Sequence, residues 1–282
     1  MKIERIAVLG AGTMGHGIAH VSALAGYDVT LFDITDEAVE RGLEQIRGNM
    51  DKGVARGKLS AEAMEDGLAR VSGTTSIEAA ADGADLVVEA VPEKLELKRS
   101  LFQQVQGLCT GILGTNTSSL SIARIAEGLD DPSRVIGLHF FNPVHIMKLL
   151  EIVVFEGTSE PTLEACRAFG ASIGKECITV RDFPGFATSR LGVCLGMEAI
   201  RMVEQGVASA EDIDTAMVLG YRHPVGPLKL SDLVGVDVRM HIGEYLAKEL
   251  DNPAFEPPEL MRRMVAEGKL GKKTGQGFYD WS

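Results

Sequence analysis

At 282 residues the chain is long enough for one large domain or two ordinary ones, and a hydrophobic content of 45% suits a sizeable core and excludes disorder. Its 28 basic residues against 40 acidic ones leave a formal net charge of −12. That balance repels the phosphates of nucleic acid and anionic membrane surfaces, so neither is an expected partner. The opening MKIERIAVLG has no basic segment followed by a long apolar stretch and a cleavage site, and no apolar run reaches membrane-spanning length. A soluble, cytoplasmic protein is expected.

The first strand, IAVLG, runs into GAGTMG, which fits GxGxxG through Gly10, Gly12 and Gly15, with Thr13 and Met14 completing the turn. Gly10 allows the tight turn, Gly12 lets backbone approach a pyrophosphate, and Gly15 lets the following helix pack on the strand. The helix start supplies oriented N–H groups for phosphate oxygens. His16 and His20 lie four apart on that helix, a spacing open to a metal; no third ligand is nearby in sequence, and no metal is expected. The next strand, DVTLFD, ends in Asp33, placed to accept hydrogen bonds from an adenosine ribose and to repel a 2′-phosphate. Ile34, Thr35, Asp36 and Glu37 supply no cation to neutralise one, so the expected cofactor is NAD rather than NADP. The plainer reading is a glycine-rich turn with Asp33 as the N-cap of the next helix.

Five further strand-like runs follow: ADLVVEAV, GILGTNTS, RVIGLHFF, MKLLEIVV and ECITVRD, with helical patterns between most of them. The alternation predicts an α/β fold, a Rossmann-like, mostly parallel sheet covered by helices on both faces. Two of these runs each carry one ionisable residue, His139 in GLHFF and Glu151 in KLLEIVV. A charge in an apolar strand is expensive unless paired, and a turn through NPVHIM brings the second strand back so that the two can meet. After FPGF, helix follows helix with almost no strand signal, and Pro184 and Gly185 mark the break. Two domains are expected, 1–183 and an all-helical 184–282. Cys109, Cys166, Cys177 and Cys194 have neither CxxC nor Cys/His ligand spacing and read as small buried hydrophobes.

NTSSLSI, GLHFFNPVHIMKLLEIV, FPGF and GKKTGQGFYDW, in this order behind the glycine turn, resemble the (S)-3-hydroxyacyl-CoA dehydrogenase family over nearly the whole chain. The short bacterial members called 3-hydroxybutyryl-CoA dehydrogenases are the nearest likeness. The resemblance implies NAD-dependent oxidation of a 3-hydroxyacyl-CoA and the reverse, with His139 as general base and acid, oriented by Glu151. Histidine suits both directions near neutrality. It implies Ser118 near the reacting oxygen, although Ser118 also reads as an N-cap for SIARIAEG. Where the family usually has asparagine in PGFxxNR, this chain has Ser189, a shorter-reaching donor carried over as a substrate-site residue.

The resemblance further implies cofactor contacts from Glu93, Lys98, Asn116 and Lys273, with a solvated helix face paired to nearby glutamates as the alternative for Lys98. It places Asn142 at the substrate and a helical hairpin over about 35–70 against coenzyme A. There Asn49, Lys52 and Arg56 are the expected contacts, with Lys58 adding positive charge. The helical domain, rich in Met197, Met202 and Met217, is expected to serve substrate binding and to pair with a second copy. Two other readings remain: a same-fold dehydrogenase of a non-CoA hydroxy acid, and a catalytically idle dinucleotide-binding protein.

Overall fold

The computed structural model describes residues 2–282, and the chain divides into two compact units, Met1–Asp182 and Phe183–Ser282. In the first unit β1 (Arg5–Leu9), α1 (Gly15–Leu24) and β2 (Asp28–Phe32) lead into a helical pair, α2 (Asp36–Ala55) and α3 (Ala61–Ala69), before β3 (Val71–Thr74). Then come α4 (Ile77–Ala81), β4 (Leu86–Glu89), α5 (Leu95–Val105), β5 (Ile112–Thr115) and α6 (Ile122–Ala126). The unit closes with β6 (Val135–Phe140), β7 (Leu149–Val154), α7 (Glu160–Ser172) and β8 (Glu176–Arg181).

These strands form one eight-stranded sheet in the order β3-β2-β1-β4-β5-β6-β7-β8. Every pairing is parallel except β6 with β7, which the short NPVHIM connection makes antiparallel. The central strands carry continuous apolar runs because helices cover both faces; β4, β5 and β6 are buried throughout. At the edge, β3 is only VSGT, half-exposed and without an apolar run. That is why the sequence signal shows seven strands and the sheet has eight. The strand order reverses between β1 and β4, and in such sheets ligands bind beyond the carboxyl ends of the strands at that point.

Serine and threonine caps set the helix starts. Thr35 accepts from the Ala38 amide at the head of α2, Ser60 from Ala63 at α3, and Ser121 from Arg124 at α6. The N-cap readings of Asp33 and Ser118 are therefore wrong by two and three residues. Both side chains are left for other work.

The second unit comprises α8 (Thr188–Glu204), α9 (Ala210–Thr215), α10 (Pro227–Val234), α11 (Val236–Leu250) and α12 (Glu259–Ala266). Its core gathers Met197, Ile200, Leu228, Val236, Leu246 and Met261. The GQGFYDW tail is tied down by buried Asp232, whose carboxylate accepts from the Phe278 and Tyr279 amides and the Trp281 indole, each at 2.9 Å. Asp214 adds bonds from the Leu228 and Lys229 amides and the Tyr279 hydroxyl, all at 2.8 Å. The aromatic motif at the chain's end is thus a structural clasp within this unit.

Candidate active site

The glycine turn follows β1 at the switch point. Gly10 takes φ +106°, open to glycine at little cost, and a Cβ on Gly15 would fall 1.6 Å from the Gly10 carbonyl oxygen, so only glycine lets α1 sit this close. At Gly12, by contrast, a Cβ would meet no protein atom within 4 Å. That open backbone faces the start of α1, where Met14 makes no side-chain cap and first-turn N–H groups remain for an anion. Beside it a cavity of about 300 Å³ is lined by Gly12, Thr13, His16, Asp33 and Arg41. Asp33 accepts from the Ala11 amide at 2.8 Å and from its neighbour Ile34 at 2.7 Å, which fixes the carboxylate against the turn. These features fit a dinucleotide. Arg41 is a cation that inspection of the four residues after Asp33 does not reveal, because it comes round one helical turn later.

At the ends of β4 and β5 lies a buried charge network. Lys98, on α5, is 0% exposed, and its ammonium donates to Glu89 at 2.7 and 3.0 Å and to the Val91 carbonyl at 3.3 Å, with Glu93 also at 3.3 Å. The expected pairing of Lys98 with nearby glutamates is present, but the lysine is buried rather than on a solvated face, and its donors are directed to protein oxygens rather than to a ribose or phosphate. Thr115 donates to Glu89 at 2.6 Å. Burial pushes the Glu89 carboxyl above its ordinary value, against the pull of Lys98 and these donors. Burial would raise Glu93 too, but the Lys98 ammonium and bonds from Thr117 and Ser118 outweigh it and hold Glu93 below its ordinary value. Glu93 Oε1 accepts from Thr117 Oγ1 at 2.6 Å, the Ser118 amide at 2.8 Å and Ser118 Oγ at 3.2 Å. Glu89 was missed, although it carries the same signal as His139 and Glu151, a charge in the middle of the apolar run LVVEAV.

On the next strand, β6, His139 stands directly opposite Glu151 of β7 in the antiparallel register. His139 Nδ1 lies 2.7 Å from Glu151 Oε2, with His139 7% and Glu151 0% exposed. Directly opposed residues of an antiparallel pair share one face, so the register alone brings the two side chains together. Asn116 accepts from the Phe140 amide at 2.9 Å, tying the end of β5 to the strand that carries the histidine. Phe141 packs its ring 4.4 Å from the imidazole.

A base–carboxylate pair on the same sheet as a dinucleotide turn is the equipment of an alcohol dehydrogenase, and comparison with known proteins names the kind. The family model for the 3-hydroxyacyl-CoA dehydrogenase NAD binding domain matches residues 5–183, and that for the C-terminal domain of the same family matches 185–281. The chain belongs to the 3-hydroxyacyl-CoA dehydrogenase family. It is 41% identical to the probable 3-hydroxybutyryl-CoA dehydrogenase of Bacillus subtilis over 100% of this chain and 98% of that one. With the 3-hydroxybutyryl-CoA dehydrogenase of Bradyrhizobium diazoefficiens it shares 40% over 99% and 96%. Among solved structures, (S)-3-hydroxybutyryl-CoA dehydrogenase PaaH1 from Ralstonia eutropha superposes with TM-score 0.95 at 39% identity, covering 100% of both chains. The eight-stranded, mostly parallel sheet with its helical C-terminal unit is thus the fold of a 3-hydroxyacyl-CoA dehydrogenase, an NAD-dependent oxidoreductase.

The remaining residues singled out in this dehydrogenase fall in three places. Asn49, Lys52 and Arg56 lie along α2 and its C-terminus and, with Lys58, line a cavity of about 500 Å³. Asn142 is exposed in the turn that follows β6. Ser189 and Lys273 belong to the second unit, Ser189 in the first turn of α8 and Lys273 paired with Asp237 at 2.6 Å. Of the four-apart histidines, His16 Nδ1 lies 2.9 Å from the Gly12 carbonyl, while His20 stacks on His145. Among the described residues no group of three or more His, Cys, Asp or Glu is arranged to hold a metal.

Proposed function

We propose that this chain interconverts (S)-3-hydroxyacyl-CoA, such as 3-hydroxybutyryl-CoA, and 3-oxoacyl-CoA, with His139 as the proton-transferring group. The observation that carries this reading is the buried 2.7 Å contact between His139 and Glu151. With the Nδ1 proton held by Glu151, the imidazole has one tautomer, and Nε2 takes the proton from the substrate hydroxyl. Glu151 then stabilises the imidazolium that forms, and in the reverse direction the same group returns the proton. NAD, when bound, supplies the hydride acceptor.

Ser118 and Asn142 are assigned to the reacting oxygen. Glu93 Oε1 accepts four bonds, and of the two that come from hydroxyls the Ser118 one, at 3.2 Å against 2.6 Å for Thr117, is the longer and the one to be exchanged for a substrate oxygen. Gly10, Gly12, Thr13, Met14, Gly15 and Asp33 are assigned to NAD, with Glu93 and Asn116 near its nicotinamide half. Lys98 serves this end of the site by holding Glu93 in place. The preference for coenzyme A rests on the cavity of about 500 Å³, where Lys52, Arg56 and Lys58 meet no carboxylate in the lining of a protein of net charge −12. That electrostatic setting suits a polyanion with an apolar arm. A homodimer through the helical unit is part of this reading, supported by exposed Leu191, Val207, Leu219 and Tyr221, as is a cytoplasmic location.

Two assays test the proposal. NADH oxidation with acetoacetyl-CoA should far exceed that with acetoacetate, and equal rates would remove the case for coenzyme A recognition. His139→Gln should lower turnover by about 10²–10⁴-fold while NADH still binds, as followed by fluorescence titration. Near wild-type turnover in that variant would show that another group is the base.

A further inference from the structure

We propose that His20 and His145 are specificity-determining residues that contact the nucleotide end of the acyl-CoA substrate. The proposal rests on the reading of the 500 Å³ cavity as the coenzyme A pocket and adds to it two imidazoles outside the helical hairpin. His20 comes from α1 and His145 from the turn between β6 and β7, and both line the cavity that Lys52, Arg56 and Lys58 also line. Their rings stack, with centroids 5.3 Å apart and planes 22° from parallel. His20 is 3% exposed, yet its Nδ1, itself buried, finds no hydrogen-bond partner among the described residues. A buried, unpaired polar atom in the wall of a cavity is a place for a ligand atom, since native structures pair the large majority of such groups.

The loop that carries His145 is held in place, because the Lys175 ammonium donates to the carbonyls of Val144 and Met147 on either side of it. The pair is thus built before any ligand arrives, which lowers the ordering cost of binding. Its charge state favours stacking and hydrogen bonding over ion pairing. Burial lowers both imidazoles from their ordinary value, helped at His20 by His145, His16 and Lys175 and at His145 by His16, Lys175 and Lys52. Neutral rings among cations offer a flat face and a polar edge to a base or ribose whose phosphates the lysines and arginine hold.

The test compares acetoacetyl-CoA with acetoacetyl-N-acetylcysteamine, a thioester without the nucleotide, in NADH-oxidation assays of the wild type, His145→Ala and His20→Gln. The expected result is a KM for acetoacetyl-CoA raised about 5- to 20-fold in each variant, the loss of one hydrogen bond or stacking contact, with kcat and the KM for NADH unchanged. On the truncated thioester all three proteins should perform alike. His145 is exposed, so His145→Ala folds even if the buried His20 tolerates no change. An unchanged KM for acetoacetyl-CoA in folded His145→Ala overturns the proposal, as does an equal rise on both thioesters. If the wild type itself does not prefer acetoacetyl-CoA to the truncated thioester, the coenzyme A reading fails; if it does prefer it and the variants match it, only the histidine proposal fails.

Discussion

Asp33 shows how two charges at one cavity divide the work of cofactor choice. Its carboxylate is fixed by the Ala11 and Ile34 amides, and Arg41 lines the same cavity of about 300 Å³. A 2′-phosphate would meet the anion first, but removing the anion leaves the cation in place. Asp33→Asn should therefore raise kcat/KM with NADPH by about 10-fold or more, since each 1.4 kcal/mol of relieved repulsion is a factor of ten. If the ratio of NADH to NADPH use does not move, the ribose assignment of Asp33 is wrong. Glu89 and Lys98 teach a related lesson about residues read alone. A lysine on the LELKRS pattern looks solvated because helix periodicity does not say what lies beneath the helix, and here the chain just before α5 turns Glu89 and Glu93 towards it.

Across elements, the β1–α1 turn separates a glycine needed by the fold from one needed by the ligand. Gly15 is hemmed in by the Gly10 carbonyl at 1.6 Å from where a Cβ would stand, whereas Gly12 has open space. Gly15→Ala must push α1 off the sheet, and a loss of stability of about 2 kcal/mol or more is expected from urea unfolding. Gly12→Ala should leave stability within about 0.5 kcal/mol and yet weaken NADH binding at least about 10-fold, because its methyl enters the space of the pyrophosphate. A pair of variants that lose stability and affinity in the same proportion would contradict this division. The β6–β7 hairpin is the second element that matters. Its antiparallel register puts His139 and Glu151 opposite each other, and a one-residue slip would send one of them to the other face of the sheet.

For the molecule as a whole, stability should depend on pH through His20, which burial holds down to about 4, helped by the neighbouring His145, His16 and Lys175. The unfolded chain takes up a proton there near pH 6.5, so between these values it binds more protons than the folded protein. Folding stability is therefore complete above pH 6.5 and falls as pH drops toward 4, by up to about 3 kcal/mol from this one residue. His20→Gln should lose less stability than the wild type between pH 7.5 and 4.5, measured as urea midpoints. Parallel curves for the two proteins would rule out His20 as the source.

What the sequence determined by itself is what depends on near neighbours. The glycine turn after an apolar strand, the change from alternating elements to helices at Pro184–Gly185, and the misfit of His139 and Glu151 in apolar runs all follow from short-range sterics and the cost of burying charge. The assignment of Asp33 and Ser118 as caps failed by a few residues because several polar side chains near a helix start compete for the same amides, and only the path of the backbone chooses among them. Tertiary structure alone decided the rest. It joined Lys98 to Glu89 and Glu93, set Arg41 beside Asp33, added the short edge strand β3, and stacked His145 on His20. Each of these joins residues brought together by chain crossings or helix turns, whose free energy comes from shared burial and therefore leaves no pattern in either stretch of sequence read separately.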